Sequence, residues 1–287
     1  MPELPEVETI RRDLAARIIN RPIAAVHLLA SKTAQNPAAF FKKSLVGKKF
    51  LNISRRGKLL IFQITANSFL LIHLKMTGQL IYLDKKVKIA GGHSLKEQNL
   101  EKLPSKHTRA IIEFKNSGRL FFNDLRRFGY LKIVSALELE KILKLNYGPE
   151  PLTKEFTFAN FKNILTGRRL KIKVLLLNQK LIAGLGNIYV DESLFAARIN
   201  PERIASRIKP AEIKKLYQAI NQVIKRAIKY RGTTFNNYVD SRGEKGSFSS
   251  FLKVYGRAGE KCINCGRPIQ KKKIAGRGTH YCASCQK

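Results

Sequence analysis

The hydrophobic pattern of this chain changes period at Gly148-Pro149-Glu150-Pro151, and that change limits what the chain can fold into. Before the break, short apolar runs lie at 23–29, 50–53, 59–64, 69–74, 79–83, 110–114, 119–123 and 130–134, separated by turn signals such as Asn116-Ser117-Gly118. Runs of this length between turn residues read as strands. Ahead of them, Val7, Ile10, Leu14 and Ile18 share one face of a helix over 5–19. After the break, Ile213, Leu216, Tyr217, Ile220, Val223, Ile224 and Ala227 keep a 3.6-residue period over 211–229, behind Pro210. The expected class is α+β: an N-terminal β-sandwich with one N-terminal α-helix, then a helical domain. A chain of 287 residues can hold two cores, here 1–147 and 152–287 with a linker at 148–151. The segment between Asp84 and Lys106 is rich in Lys, Gly and Gln and reads as a long mobile loop without chemistry.

All four cysteines fall in the last 26 residues, as Cys262-x-x-Cys265 and Cys282-x-x-Cys285 with sixteen residues between the pairs. Tetrahedral zinc takes four thiolates, and two such knuckles supply two each. The expectation is one structural zinc in a ribbon over 258–287, with no open position for catalysis. From Lys261 to Lys287 there are seven Lys/Arg and no Asp/Glu, which suits a metal-folded clamp on an anion. The whole chain carries 55 Lys+Arg against 20 Asp+Glu, a formal +35. Such a balance calls for a polyanion, and nucleic acid is the expected partner. No basic amphipathic helix points to a membrane. The acidic, apolar-poor start carries no secretory signal, and runs such as Phe69-Leu70-Leu71-Ile72 are too short to span a bilayer. A cytoplasmic, nucleoid-associated protein is expected.

Two readings fit Pro2-Glu3. Proline and carboxylates suit a helix start. Alternatively, once Met1 is removed, Pro2 presents a secondary amine. An α-amino group titrates well below lysine, so it can attack an aldehyde carbon while Glu3 moves protons. Gly184-Leu185-Gly186-Asn187, ahead of a helix, suits either helix packing or phosphate approach. Arg55-Arg56-Gly57-Lys58 reads by itself as a solvated basic turn.

MPELPEVETIRR and LIAGLGNIYVDESLF resemble the N-terminus and the helix–two-turns–helix segment of the formamidopyrimidine-DNA glycosylase family, bacterial enzymes that excise oxidised purines. The resemblance runs along essentially the whole chain. It implies DNA in a cleft between a β-sandwich and a helical domain with a zinc ribbon, and a monomeric enzyme. Pro2 nitrogen would attack deoxyribose C1′, Glu3 would open the sugar ring, and β and δ eliminations would follow, with Lys58 assisting at the lesion. Glu6, three residues beyond Glu3, would hold the first helical turn. Met76, Arg126 and Phe128 match the side chains that fill the gap left by a flipped base, the arginine reading the orphaned partner. His107, Asn187 and Arg277 match DNA contacts, the last two to phosphates. The loop from Arg231 to Phe248 matches a lesion-capping loop. Lys75 and Leu125 depart from commoner family residues. A sister enzyme for oxidised pyrimidines shares the Pro-Glu start, but Leu4-Pro5-Glu6-Val7 and the 231–248 loop favour the purine branch. A non-catalytic DNA-binding protein that keeps the helical and zinc modules is the third possibility.

Overall fold

The computed structural model describes residues 1–30, 32–85, 88–92, 103–115, 117–233 and 247–287, and divides into two units. Met1–Leu143 with Arg231–Ser247 make the first, and Lys144–Tyr230 with Phe248–Lys287 the second.

In the first unit, α1 (Leu4–Ile18) precedes β1 (Ile23–Leu28), α2 (Ala38–Leu45) and β2 (Asn52–Arg56). Next come β3 (Leu59–Thr65), β4 (Ser68–His73), β5 (Gly78–Leu83), β6 (Lys88–Gly92), β7 (Thr108–Phe114), β8 (Arg119–Asp124) and β9 (Tyr130–Ser135). They form a five-stranded sheet, β1-β7-β8-β5-β6, and a four-stranded sheet, β2-β3-β4-β9, with every paired strand antiparallel. The inner faces share one core. Leu80, Tyr82, Ile112 and Phe122 of one sheet meet Leu60, Phe62, Ile72 and Ile133 of the other, and α1 adds Val7, Ile10, Leu14 and Ile18. The outward residues Ile81, Ile111 and Phe121 form a smaller cluster with Ala90 on the opposite face. Because both faces are apolar, these strands read as continuous apolar runs instead of alternating ones.

The expected mobile loop after Asp84 is corrected at its start. Residues 88–92 are a strand on the edge of the five-stranded sheet, Ala90 pairing with Ile81. Its five residues, two of them glycine, are too few to show a period. The stretch 93–102 of the expected loop lies outside the described residues. Helix α2 was also not legible, since only Phe41 and Leu45 of its eight residues are buried.

The second unit contains α4 (Phe158–Leu165), α5 (Ile172–Leu177), α6 (Asn187–Ala196), α7 (Pro210–Lys229) and the hairpin β10 (Gln270–Ile274)–β11 (Arg277–Tyr281). Helix α3 (Ala136–Asn146) crosses the boundary between the units and buries no residue. Helix α6 is the centre: Tyr189, Val190, Leu194 and Phe195 are buried, and so are its polar residues Asp191, Glu192 and Ser193. Among the described residues, no helix is long and apolar enough to cross a membrane.

Candidate functional site

Helix α1 lies along β2, and simple rises show where its start must come. Ile19 bridges Phe50, Arg11 donates to the Ile53 carbonyl (3.3 Å), and Arg55 donates to Glu8 (2.8 Å). From Ile19 back to Glu8, helix at about 1.5 Å per residue covers ~16 Å, and so does strand from Phe50 to Arg55 at about 3.3 Å. Continuing to Glu3 reaches the β2–β3 turn, Gly57-Lys58. The first turn of α1 and Lys58 thus sit at one end of the sandwich. Pro2, Glu3 and Lys58 are all buried, Glu3 at 3% and Lys58 at 5% exposure.

Three further turns collect at the same end. Leu59 pairs with His73 and His73 with Tyr130, so the β4–β5 turn with Met76 and the β8–β9 turn with Arg126 and Phe128 adjoin the Lys58 turn. Asp124 and Gly78 pair at the strand ends from which the latter two turns spring. His107 enters the same group, its carbonyl accepting the Asp124 N–H (2.9 Å). Phe128 stands 53% exposed, with the Arg126 guanidinium 4.8 Å from its ring centroid. His73 accepts the Lys75 N–H at Nδ1 (3.0 Å), and loss of hydration, aided by the charges of Lys75 and Lys58, pushes its pKa down to about 3. It is neutral at working pH. His107 is also pushed down, by loss of hydration and then by Lys106 and Arg109.

Glu6 does more than hold the first turn. Its fully buried carboxylate accepts the Glu3 N–H at Oε2 (3.0 Å), and at Oε1 the Thr233 N–H (2.9 Å) and hydroxyl (3.2 Å). One carboxylate therefore fixes both the N-terminal residues and the start of the 231–248 segment. Gly232 is required between them: its φ is +79°, and a Cβ there would come within 2.5 Å of Glu6 Oε1. Arg231 Nη2 adds bonds to both carboxylate oxygens of Asp13 (2.9 and 2.7 Å). The rest of the expected capping loop, 234–246, lies outside the described residues.

Glu8 locks α1 to the Lys58 turn through Arg55, and it also binds Arg11 and Arg12. Burial raises its pKa, but the hydrogen bonds from Arg11 and Arg12 and the charges of Arg55 and Arg11 outweigh it and hold the group at about 2 against an ordinary 4.5. A carboxyl depressed on folding contributes stability above its unfolded pKa and loses it as pH falls through the folded value. Melting temperature should therefore fall between about pH 4.5 and 2 more steeply in the wild type than in Glu8→Gln. Parallel curves over that window would remove Glu8 from the account.

In the second unit, Asn187 opens α6 after a turn hooked by Gln179, whose amide donates to the Leu177 and Leu185 carbonyls (3.1 and 2.8 Å) and accepts the Gly184 N–H (2.8 Å). Asn187 Nδ2 donates to the Gly278 carbonyl (2.7 Å), which brings Asn187 beside Arg277 at the tip of the β10–β11 hairpin. Below them Lys173 and Asp191 form a fully buried ion pair (2.5 Å), Lys173 also reaching Gly278 O (3.3 Å) and Asp191 the His280 N–H (2.9 Å). Next along α6, Glu192 accepts the N–H groups of Lys253, Val254 and Tyr255 (2.9–3.1 Å), and burial raises its pKa. Sequence reasoning passed over Lys173, Asp191 and Glu192. The available signal was two acids inside the apolar string Tyr189-Val190-Asp191-Glu192-Ser193-Leu194-Phe195, where unpaired charges cannot stay.

The four cysteine sulfurs lie within 4.8 Å of one another, with Cys262–Cys285 at 3.9 Å and Cys265–Cys282 at 3.5 Å. Four thiolates about 2.3 Å from one zinc stand ~3.8 Å apart, so the cluster fits a tetrahedral ion. Cys262 and Cys282 also pack with Phe195, Val254 and Ile269.

Known proteins match along the whole chain. Family models match at residues 1–131 (Formamidopyrimidine-DNA glycosylase N-terminal domain), 147–238 (Formamidopyrimidine-DNA glycosylase H2TH domain) and 259–287 (Zinc finger found in FPG and IleRS). The Formamidopyrimidine-DNA glycosylase of Pelotomaculum thermopropionicum is 42% identical, covering 100% of this chain and 99% of its own length. That of Listeria monocytogenes is 38% identical over 100% of both chains. Among solved structures, Lactococcus lactis Formamido-pyrimidine DNA Glycosylase non-covalently bound to AP-site-containing DNA superposes with a TM-score of 0.87 at 37% identity, covering 99% of each chain. MutM in complex with carbocyclic 8-oxo-G-containing DNA gives 0.86 at 37% identity over 100% of both.

Proposed function

Because the chain belongs to the formamidopyrimidine-DNA glycosylase family, we propose that its buried N-terminal Pro2 is the covalent catalyst of lesion excision. The protein is a DNA glycosylase and AP lyase for oxidised purines, and it carries one structural zinc. The observation that carries the assignment of residues is the gathering of Pro2, Glu3, Lys58, Met76, Arg126 and Phe128 at one end of the sandwich.

The reading requires removal of Met1. The freed Pro2 nitrogen then gives its lone pair to C1′ of the damaged nucleotide, and the glycosidic bond breaks toward the leaving base. Glu3 protonates the ring oxygen as the C1′–O4′ bond opens, which leaves an iminium between Pro2 and the sugar. The Glu3 carboxylate left by that transfer takes the C2′ proton, and the C2′–H electrons flow toward the iminium and expel the 3′ phosphate. Loss of the C4′ proton to water in a second elimination releases the 5′ phosphate. Water frees the remaining fragment, leaving a one-nucleotide gap flanked by phosphates. Lys58 supplies positive charge beside the lesion. Met76, Arg126 and Phe128 fill the space the flipped base vacates, Arg126 facing the orphaned partner. Asn187 and Arg277, coupled through Gly278, hold the backbone phosphates, and His107 makes a further DNA contact. Zinc acts by folding the hairpin that presents Arg277 and takes no part in bond making. We place catalysis in 1–147 and the DNA grip in 152–287 across the 148–151 linker, in a chain acting as a monomer.

Borohydride added during turnover of an 8-oxoguanine duplex tests this reading. A reduced covalent protein–DNA adduct is expected, and excision without any adduct would contradict it.

A further inference from the structure

We propose that Asp124 is the positioning residue that makes the two gap-filling turns, 74–77 and 125–129, a single rigid wedge. The inference rests on the reading of Met76, Arg126 and Phe128 as the side chains that enter the duplex. Asp124 is 1% exposed at the end of β8, paired with Gly78 at the start of β5. Its Oδ1 accepts the Thr77 hydroxyl and the Arg126 N–H (3.2 Å), and its Oδ2 accepts the Gly129 N–H (2.7 Å). Each donor adjoins one wedge residue: Thr77 follows Met76, Arg126 supplies its own N–H, and Gly129 follows Phe128. The Thr77 hydroxyl oxygen also accepts the Arg126 N–H (2.9 Å), which ties the two turns directly. The backbone of Asp124 is fixed as well, its carbonyl accepting Arg109 Nε (2.9 Å) and its N–H bonded to His107 O (2.9 Å).

A wedge that pushes bases apart must not yield, because unstacking costs a few kcal/mol per step. Exposed Phe128 and half-buried Met76 gain little rigidity from packing, so it must come from the turns beneath them. Three donors converge on this side chain, and an ionised carboxylate is acceptor-only. An amide would turn its NH₂ toward at least one donor. Gly129 completes the fit, since a Cβ there would lie 3.0 Å from Asp124 Oδ2 and 2.7 Å from the Phe122 ring.

The test compares two substrates. Asp124→Asn is expected to slow single-turnover excision from an 8-oxoguanine duplex by about 10–100-fold, the cost of one misdirected charged hydrogen bond. Cleavage of a single-stranded oligonucleotide with a preformed abasic site needs no duplex opening and should stay within about twofold. Equal losses on both substrates, or wild-type excision from the duplex, would overturn the proposal. If Asp124→Asn does not fold, Thr77→Val, which deletes one donor and keeps the carboxylate, should show a smaller loss confined to the duplex; no such loss would overturn it equally. Met76→Ala separates the two levels. Unchanged duplex excision in that variant removes the wedge reading itself, whereas slow Met76→Ala beside normal Asp124→Asn removes only the role given to Asp124.

Discussion

Glu3→Gln should release 8-oxoguanine from a duplex about 10²–10⁴-fold more slowly than the wild type in single turnover, the usual range for loss of a positioned proton donor. The substitution keeps the shape of the side chain and removes its ability to exchange a proton. It should leave the fold intact, because the Glu3 N–H keeps its bond to Glu6 Oε2 and the glutamine carbonyl oxygen can still accept the Glu6 N–H in the capping box. Helix α1 is further held by Val7, Ile10, Leu14 and Ile18 in the core and by Glu8 on Arg55. The variant should therefore melt near the wild type and bind a lesion duplex with near wild-type affinity. A Glu3→Gln enzyme within tenfold of the wild-type rate would show that another group opens the sugar.

Removal of zinc should have the second-largest effect. Structural zinc contributes on the order of 10–16 kcal/mol of binding free energy in small zinc-finger peptides, and that energy is folding energy. In this chain Cys262 and Cys282 are part of the small core with Phe195, Val254 and Ile269, so loss of the ion opens that core. The hairpin also supplies Gly278 O to Asn187 and Lys173 and the His280 N–H to Asp191. Opening it leaves the Lys173–Asp191 pair buried with fewer partners and removes Arg277 from its place. Chelation, or Cys282→Ser, should lower the melting temperature and weaken lesion-duplex binding by about 100-fold or more, as expected when a phosphate-binding module is lost. Returning zinc should restore the chelated protein but not the variant. Unchanged affinity after verified zinc loss would show that the ribbon is dispensable for DNA binding.

Local chemistry was the part legible in the sequence. The strand runs, α1, α7 and the paired cysteines each carry their signal within a few residues, and each was found near its observed place. The edge strand 88–92 and helix α2 were missed, because one is too short for a period and the other buries only two side chains. At the candidate site, the chemistry of Pro2 and Glu3 was one of two readings of those residues until family resemblance favoured it. The identities of Met76, Arg126 and Phe128 came from that resemblance, and the supports of all five could come only from the structure. Glu6 meets Thr233 across 227 positions and Asp191 meets His280 across 89. Sequence spacing carries no sign of such pairs. What it did offer was rarity: in a chain with 20 acidic residues against 55 basic ones, Glu6, Glu8, Asp124, Asp191 and Glu192 are buried. A buried acid in so basic a chain must be satisfied by donors. For Glu6, Asp124 and Asp191 those donors include residues on the segments that carry the candidate site, whereas Glu192 draws on residues 253–255.

The most direct check on the account is peptide mass spectrometry of the borohydride-reduced complex formed on an 8-oxoguanine duplex. The account predicts one adduct, on the nitrogen of Pro2 in a chain that has lost Met1. An adduct on the Lys58 amine, or on a chain that still begins with methionine, would contradict it.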